Sequence, residues 1–219
     1  MDIKSILSIC DHTLLAVDGG WNAVRDLIDD AIHYKTASVC IPPCYVAKAS
    51  EYAMGLMPIC TVIGFPNGYN SQEAKVFETA KACEEGADEI DMVINVGALK
   101  EGRNDYVARE IERVRSACPG KILKVIVETC LLSEKEKIEM CRIVSSSGAD
   151  FIKTSTGFST GGATVEDVKL FKANVSAHVK IKAAGGIKTL EDAQALIDAG
   201  AARLGTSRIV KIVKSEKIL

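Results

Sequence analysis

Glu85-Gly86-Ala87-Asp88-Glu89-Ile90-Asp91-Met92-Val93 is the stretch that decides the fold. A helix-like segment ends on glycine, a small residue and an acid follow, and an apolar strand begins at once, which is the junction a βα repeat needs. The same punctuation returns at Ser147-Gly148-Ala149-Asp150 ahead of Phe151-Ile152-Lys153, and at Ala199-Gly200-Ala201-Ala202 ahead of Arg203-Leu204-Gly205-Thr206. Outward from these junctions, candidate strands fall at Asp11–Leu15, Ser38–Ile41, Ile59–Gly64, Glu89–Val96, Leu123–Glu128, Phe151–Thr156, Val179–Ala184 and Arg203–Thr206. Successive starts lie about 27 residues apart, enough for one strand, one helix and short loops. Eight such units in 219 residues predict a single (β/α)₈ TIM barrel over residues 1–219 rather than an open doubly wound sheet.

The intervening segments read as amphipathic helices. In Ser71-Gln72-Glu73-Ala74-Lys75-Val76-Phe77-Glu78-Thr79-Ala80, Ser71 can cap, and Ala74, Phe77 and Ala80 share a face. Asp2 to Ile9 is expected as a short N-terminal helix that closes the amino-terminal mouth of the barrel.

Composition removes several kinds of function. The 27 basic and 29 acidic residues are interspersed, with a formal charge of −2 and no basic block to follow a phosphodiester backbone, so no nucleic acid partner is expected. The opening Met1-Asp2-Ile3-Lys4 lacks a signal-peptide core, and no apolar run approaches the roughly 20 residues of a membrane span. A cytoplasmic protein without a membrane partner is the expectation. Eight cysteines at irregular spacings read as reduced thiols. Cys40 and Cys44, with His33 upstream, are a strand residue and a turn residue rather than metal ligands, and no Gly-x-Gly-x-x-Gly or Gly-x-x-x-x-Gly-Lys suggests a nucleotide. Neither metal nor organic cofactor is expected.

The chemistry lies in lysines placed inside apolar strands. Lys153 and Lys182 would be neighbours on the sixth and seventh strands, near the carboxyl ends where barrel active sites form. Burying an ammonium without a partner is expensive. A lysine of ordinary pKa, about 10.4, is a poor nucleophile at pH 7, whereas a second ammonium and partial desolvation can draw that value down by about 3. One lysine then becomes a Schiff-base nucleophile and the other tunes it. Asp91 or Glu128 could pair with them, while Lys180, near the strand entry, is expected to reach solvent from the bottom face. At the rim, Gly185-Gly186 and Gly205-Thr206-Ser207-Arg208 end the last two strands, where glycine-turn N–H groups, the Ser207 hydroxyl and the Arg208 guanidinium can hold a phosphate.

Several segments in order, among them Asp11-His12-Thr13-Leu14-Leu15, Ile63-Gly64-Phe65-Pro66-Asn67-Gly68, Glu89-Ile90-Asp91-Met92-Val93, Phe151-Ile152-Lys153-Thr154-Ser155-Thr156-Gly157 and Ile181-Lys182-Ala183-Ala184-Gly185-Gly186, resemble the deoxyribose-phosphate aldolase family. The resemblance implies a metal-free class I aldolase in which Lys153 forms the Schiff base, Lys182 is the tuning cation and Asp91 moves protons through a water. It adds Asp11 and Cys40 as pocket residues, beside Thr156 and Gly157. The implied substrate is 2-deoxy-D-ribose 5-phosphate, cleaved to D-glyceraldehyde 3-phosphate and acetaldehyde, and the implied assembly is a homodimer. Other readings are a Schiff-base aldolase for another sugar phosphate and a non-catalytic barrel that binds one. Phe158 stands where some relatives carry lysine, which shifts the phosphate grip toward Arg208. The closing Glu216-Lys217-Ile218-Leu219 lacks the aromatic-ended tail of some relatives, so no tail-borne proton transfer is expected.

Overall fold

The computed structural model describes residues 2–216, so the reading of the tail, which rests on Lys217, Ile218 and Leu219, lies outside the described residues. Parallel strands β1 (Cys10–Thr13), β2 (Ser38–Ile41), β3 (Ile59–Ile63), β4 (Glu89–Val93), β5 (Ile122–Ile126), β6 (Phe151–Lys153), β7 (Lys180–Ala184) and β8 (Arg203–Thr206) follow one another round a closed barrel, with β8 paired to β1. The surrounding helices are α1 (Ile3–Leu7), α2 (Trp21–Tyr34), α3 (Val46–Ala53), α4 (Gln72–Glu84), α5 (Val96–Lys100), α6 (Asn104–Ala117), α7 (Glu134–Ser146), α8 (Val165–Asn174), α9 (Leu190–Ala199) and α10 (Ile209–Glu216). The short N-terminal helix forms as α1 and is held by burial of Ile6 and Leu7.

The junction glycines carry the turn that the sequence pattern requires. Gly86, Gly148 and Gly200 have φ of 103°, 73° and 124°, a region where a Cβ is strained. The chain leaves α4, α7 and α9 there and enters β4, β6 and β8. Several strands stop before their apolar runs do. The backbone turns left-handed at Gly64 (φ 62°) after β3 and at Glu128 (φ 56°) beyond β5. Asn95 leaves β4 to cap α5, its Oδ1 accepting the Ala98 N–H at 3.0 Å, and so is not an inward strand residue beside Asp91.

Ser71 caps α4, its hydroxyl accepting the Ala74 N–H at 3.2 Å. The buried face of α4 is nevertheless Gln72, Lys75, Thr79 and Ala82, and the Ala74-Phe77-Ala80 face is turned to solvent. Lys75 is the reason. Its ammonium donates to the Gly68 and Val93 carbonyls at 2.6 and 2.7 Å and to Glu110 Oε1 at 2.7 Å. Glu110 Oε2 accepts the Asn95 N–H at 3.0 Å. One buried ion pair thereby fixes α4 and α6 to the loop after β3 and to the end of β4. Lys75→Met keeps the stem but leaves the Glu110 carboxylate buried and unpaired, so urea unfolding should show a loss of about 3–5 kcal/mol. A loss under about 1 kcal/mol would mean that water or another cation takes over the pair.

His12 in β1 is buried, with Asp30 of α2 and Lys211 and Lys214 of α10 acting on it electrostatically. Burial pushes its pKa down to about 4, with Asp30 opposing and the two lysines assisting. Its folded value thus lies below its unfolded one, so this histidine's contribution is present above the unfolded pKa and is lost as pH falls toward the folded one. Between pH 8 and pH 5 the protein should lose about 2 kcal/mol more stability than His12→Leu. Parallel losses in denaturant titrations at both pH values would contradict this.

Candidate active site

The inner face of the barrel gathers charge from six strands. Lys153 and Lys182 are register partners on β6 and β7. Both reach the same oxygen of Asp91 on β4: Lys153 Nζ lies 2.7 Å and Lys182 Nζ 2.6 Å from Oδ2. Lys124 of β5 takes the other oxygen at 2.8 Å and Glu89 Oε2 at 2.5 Å. Asp11 of β1 pairs with Lys182 at 2.5 Å and with Arg203 of β8 at 2.6 Å, and accepts from the Ser38 hydroxyl at 2.8 Å. Gly205 makes room for this arrangement, because a Cβ there would meet Lys182 Cε at 3.1 Å and Ala184 Cβ at 2.9 Å.

Burial opposes the charges of Asp11, Asp91, Lys124, Lys182 and Arg203, and their neighbours overcome it. Asp91 is held well below the usual carboxylate range by Lys124, Lys153 and Lys182, and Asp11 is lowered by Lys182, Lys124 and Arg203. Lys182 is raised by Asp11 and Asp91. Lys124 is raised too, by Asp91 first among the neighbours that oppose its burial. Two juxtaposed ammonium groups were expected to raise each other's energy, but a carboxylate lies between them, and Lys182 is a firmly held cation. The contacts are unequal. Lys182 pairs with two carboxylates and Lys124 with Asp91 and Glu89 at close range, while Lys153 pairs with Asp91 alone, through an oxygen it shares. Asp11, Glu89 and Asp91 face Lys124, Lys153, Lys182 and Arg203, three carboxylates against four cations.

A cavity of about 710 Å³ opens at the carboxyl ends of the strands and is lined by Thr156, Gly157, Gly185, Gly186, Gly205, Ser207 and Arg208 among others. Gly185 and Gly186 have φ of 78° and 77°. The loop after β6 presses on them so closely that a Cβ on Gly162 would fall 2.4 Å from the Gly185 carbonyl oxygen. Ala163 N–H also donates to the Ala184 and Gly185 carbonyls at 3.1 Å. Arg208 is exposed and has no carboxylate partner among the described residues. Lys188 and Lys211 line the same cavity, two cations the sequence reading passed over. Phe158 packs edge-on against Phe65 at 5.3 Å.

The other sequence-derived residues separate from this rim. Asp11 is fully buried in the ion cluster, and Cys40 is fully buried with Cys60 and Val62. Glu128 does not reach the lysines. It accepts from the Thr156 backbone N–H at 3.2 Å and from the Thr156 hydroxyl at 2.5 Å, fixing the loop that follows Lys153. Lys180 is exposed, 5.8 Å from the Phe151 ring, outside the cluster. Lys124, Glu89 and Arg203 are members the sequence did not single out, although Lys124, flanked by Leu123 and Val125, carries the same signal as Lys153.

Residues 5–208 match the model of the DeoC/LacD family aldolases. A deoxyribose-phosphate aldolase of Streptococcus agalactiae serotype Ia is 58% identical over 218 residues, covering 100% of this chain and 98% of that protein. Its counterpart in Streptococcus pyogenes serotype M4 is 59% identical over 216 residues, covering 99% and 97%. A deoxyribose phosphate aldolase from Aeropyrum pernix, described as a unique tetrameric structure, superposes with a TM-score of 0.90 at 32% identity over 99% of this chain and 92% of that one. A family model that covers nearly the whole barrel, and relatives that share well over half of its residues from end to end, place this chain in the DeoC/LacD family of aldolases.

Proposed function

We infer that this aldolase reversibly cleaves 2-deoxy-D-ribose 5-phosphate to D-glyceraldehyde 3-phosphate and acetaldehyde through a Schiff base on Lys153. The observation that carries the assignment of the nucleophile is the count of contacts around Asp91. Release of one proton from the cluster balances its charge, and Lys153 is the lysine held by the fewest carboxylate contacts. Lys182 and Lys124 each keep a second carboxylate partner, so Lys153 is the amine least tied by ion pairs and freest to meet a carbonyl carbon.

The amine adds to C1 of the open-chain aldehyde, and the carbinolamine loses water to give an iminium. A base takes the C3 hydroxyl proton, the C2–C3 bond breaks, and its electron pair moves into the iminium to form an enamine. Glyceraldehyde 3-phosphate departs with C3 as its aldehyde carbon. Protonation of the enamine at C2 and hydrolysis then release acetaldehyde and the amine. Asp91, held ionised by its three lysines, is not a standing acid, and its part in the proton transfers is to relay a proton through a water. The phosphate belongs in the rim cavity, against the N–H groups of Gly185, Gly186 and Gly205, the Ser207 hydroxyl and the Arg208 guanidinium. Thr156 and Gly157, three and four residues beyond Lys153, line the cavity on the side of the nucleophile's strand, while Asp11 acts on substrate only through Lys182.

A homodimer in the cytoplasm is the proposed state. Exposed Tyr69 and Phe77, at 72% and 73%, are apolar surface that such an assembly would cover, and the tetrameric Aeropyrum pernix relative favours an oligomer of some kind.

Turnover of deoxyribose 5-phosphate in chelator, with both products identified, tests the reading, and Arg208→Ala tests the rim. That variant should weaken transition-state binding of the phosphorylated sugar by about 1.5–3 kcal/mol in kcat/KM, with non-phosphorylated deoxyribose little changed. An equal loss for both sugars, or none for either, would remove Arg208 from the phosphate site.

A further inference from the structure

Cys40 and Cys60 are register partners on neighbouring parallel strands, β2 and β3, so their side chains leave the sheet on the same face. Both are fully buried. Their sulfurs and one carboxylate oxygen of Asp91 all lie within 4.8 Å of one another. The Cys60 sulfur is 3.2 Å from Asp91 Oδ1, the oxygen that Lys124 also holds, and 3.3 Å from Lys124 Nζ. The chemistry above uses neither thiol. A buried dithiol with a carboxylate completing the triangle has the donor set of a thiophilic divalent cation.

We propose that Cys40, Cys60 and Asp91 form a binding site for a soft divalent cation, Zn²⁺ in the first instance, and that its occupation stops the aldolase reaction by drawing Asp91 Oδ1 away from the lysine cluster.

The dimensions agree. Zn–S bonds of about 2.3 Å and Zn–O bonds of about 2.0–2.2 Å in a tetrahedral shell separate the donors by about 3.5–3.8 Å. Here the three lie within 4.8 Å of one another, with Cys60 Sγ 3.2 Å from Asp91 Oδ1, so small side-chain shifts complete the shell. The charge also agrees. Each thiol gives its proton to solvent as it becomes a ligand, so one divalent cation replaces two protons and the net charge of the interior is unchanged. Lys124 has Glu89 as a second anchor at 2.5 Å, so Asp91 Oδ1 can turn to the ion without stranding the ammonium. Half-buried Leu15 and Phe65 pack against the two thiols, and Leu15 also lines the rim cavity, so an ion would enter by displacement of the Leu15 side chain. The fourth position of the shell is left to water, as in metal sites with three protein ligands.

The inhibition rests on the aldolase reading, whereas the coordination shell does not. The test uses the reduced full-length protein with zinc chloride and no other metal. X-ray absorption at the zinc edge should show two sulfur and two oxygen neighbours at one equivalent. Turnover should fall by about 100-fold, the low end of what an acid/base group contributes, and return on adding chelator. Cys60→Ala, folded by circular dichroism, should lose the two-sulfur shell and the sensitivity to zinc. Cys44→Ser with Cys130→Ser removes the two exposed thiols and should keep both. A shell without a pair of sulfurs in the wild type, or zinc inhibition that persists undiminished in Cys60→Ala, would overturn the proposal. A wrong choice of substrate would leave the absorption result untouched, which separates the two failures.

Discussion

One buried carboxylate, Asp91, is shared among three ammonium groups, with Lys124 on one oxygen and Lys153 and Lys182 on the other. Without that carboxylate Lys153 would lose its one ion-pair partner among the described residues, and Lys124 and Lys182 would keep only Glu89 and Asp11 against their burial. An unpaired buried cation costs several kcal/mol. Without the cations, Asp91 would be driven toward protonation. The barrel wall is therefore constrained around this point. Gly205 gives up its side chain to make space for the Lys182 stem, and the Lys75–Glu110 pair fixes the loop after β3 and the backbone where β4 ends.

The lower tier of the cluster gives the upper one its asymmetry. Asp11 and Glu89, themselves bridged by Arg203, satisfy Lys182 and Lys124, and no such second carboxylate reaches Lys153, the last residue of β6. Glu128, in a left-handed conformation, secures the next loop through Thr156 instead of neutralising the lysine. Lys153, the proposed nucleophile, is thus left with one shared contact beside two lysines that their carboxylates hold as cations. The rim cavity is bounded by glycine loops pressed backbone to backbone, which leaves small residues around the opening.

Much of this was legible in the sequence because its causes are local. Helix-exit glycines declare their φ through the residue that follows, and a lysine within an apolar strand declares that it is paired or functional. That Lys153 and Lys182 are neighbours followed from their places on consecutive strands, whereas their register needed the strand starts that only the structure fixes. What was hidden depends on contacts between distant segments. The inward face of α4 was misjudged because Phe77 and the alanines are apolar, whereas Lys75 is buried only because Glu110 lies across from it, 35 residues later. The pairing of Cys40 with Cys60 needed the register of two strands, and the deep position of Asp11 needed Arg203, 192 residues away. Lys124 was open to the same argument as Lys153 and was passed over because it lies mid-strand, away from the rim.

The central claim is that, of three lysines on one carboxylate, only the one with a single shared contact reacts. Borohydride reduction in the presence of acetaldehyde, followed by peptide mapping of the wild-type protein, reads this directly. The account predicts an N-ethyl group on Lys153, with Lys124 and Lys182 unmodified. An adduct on Lys182 or Lys124, or one spread over all three, would contradict it.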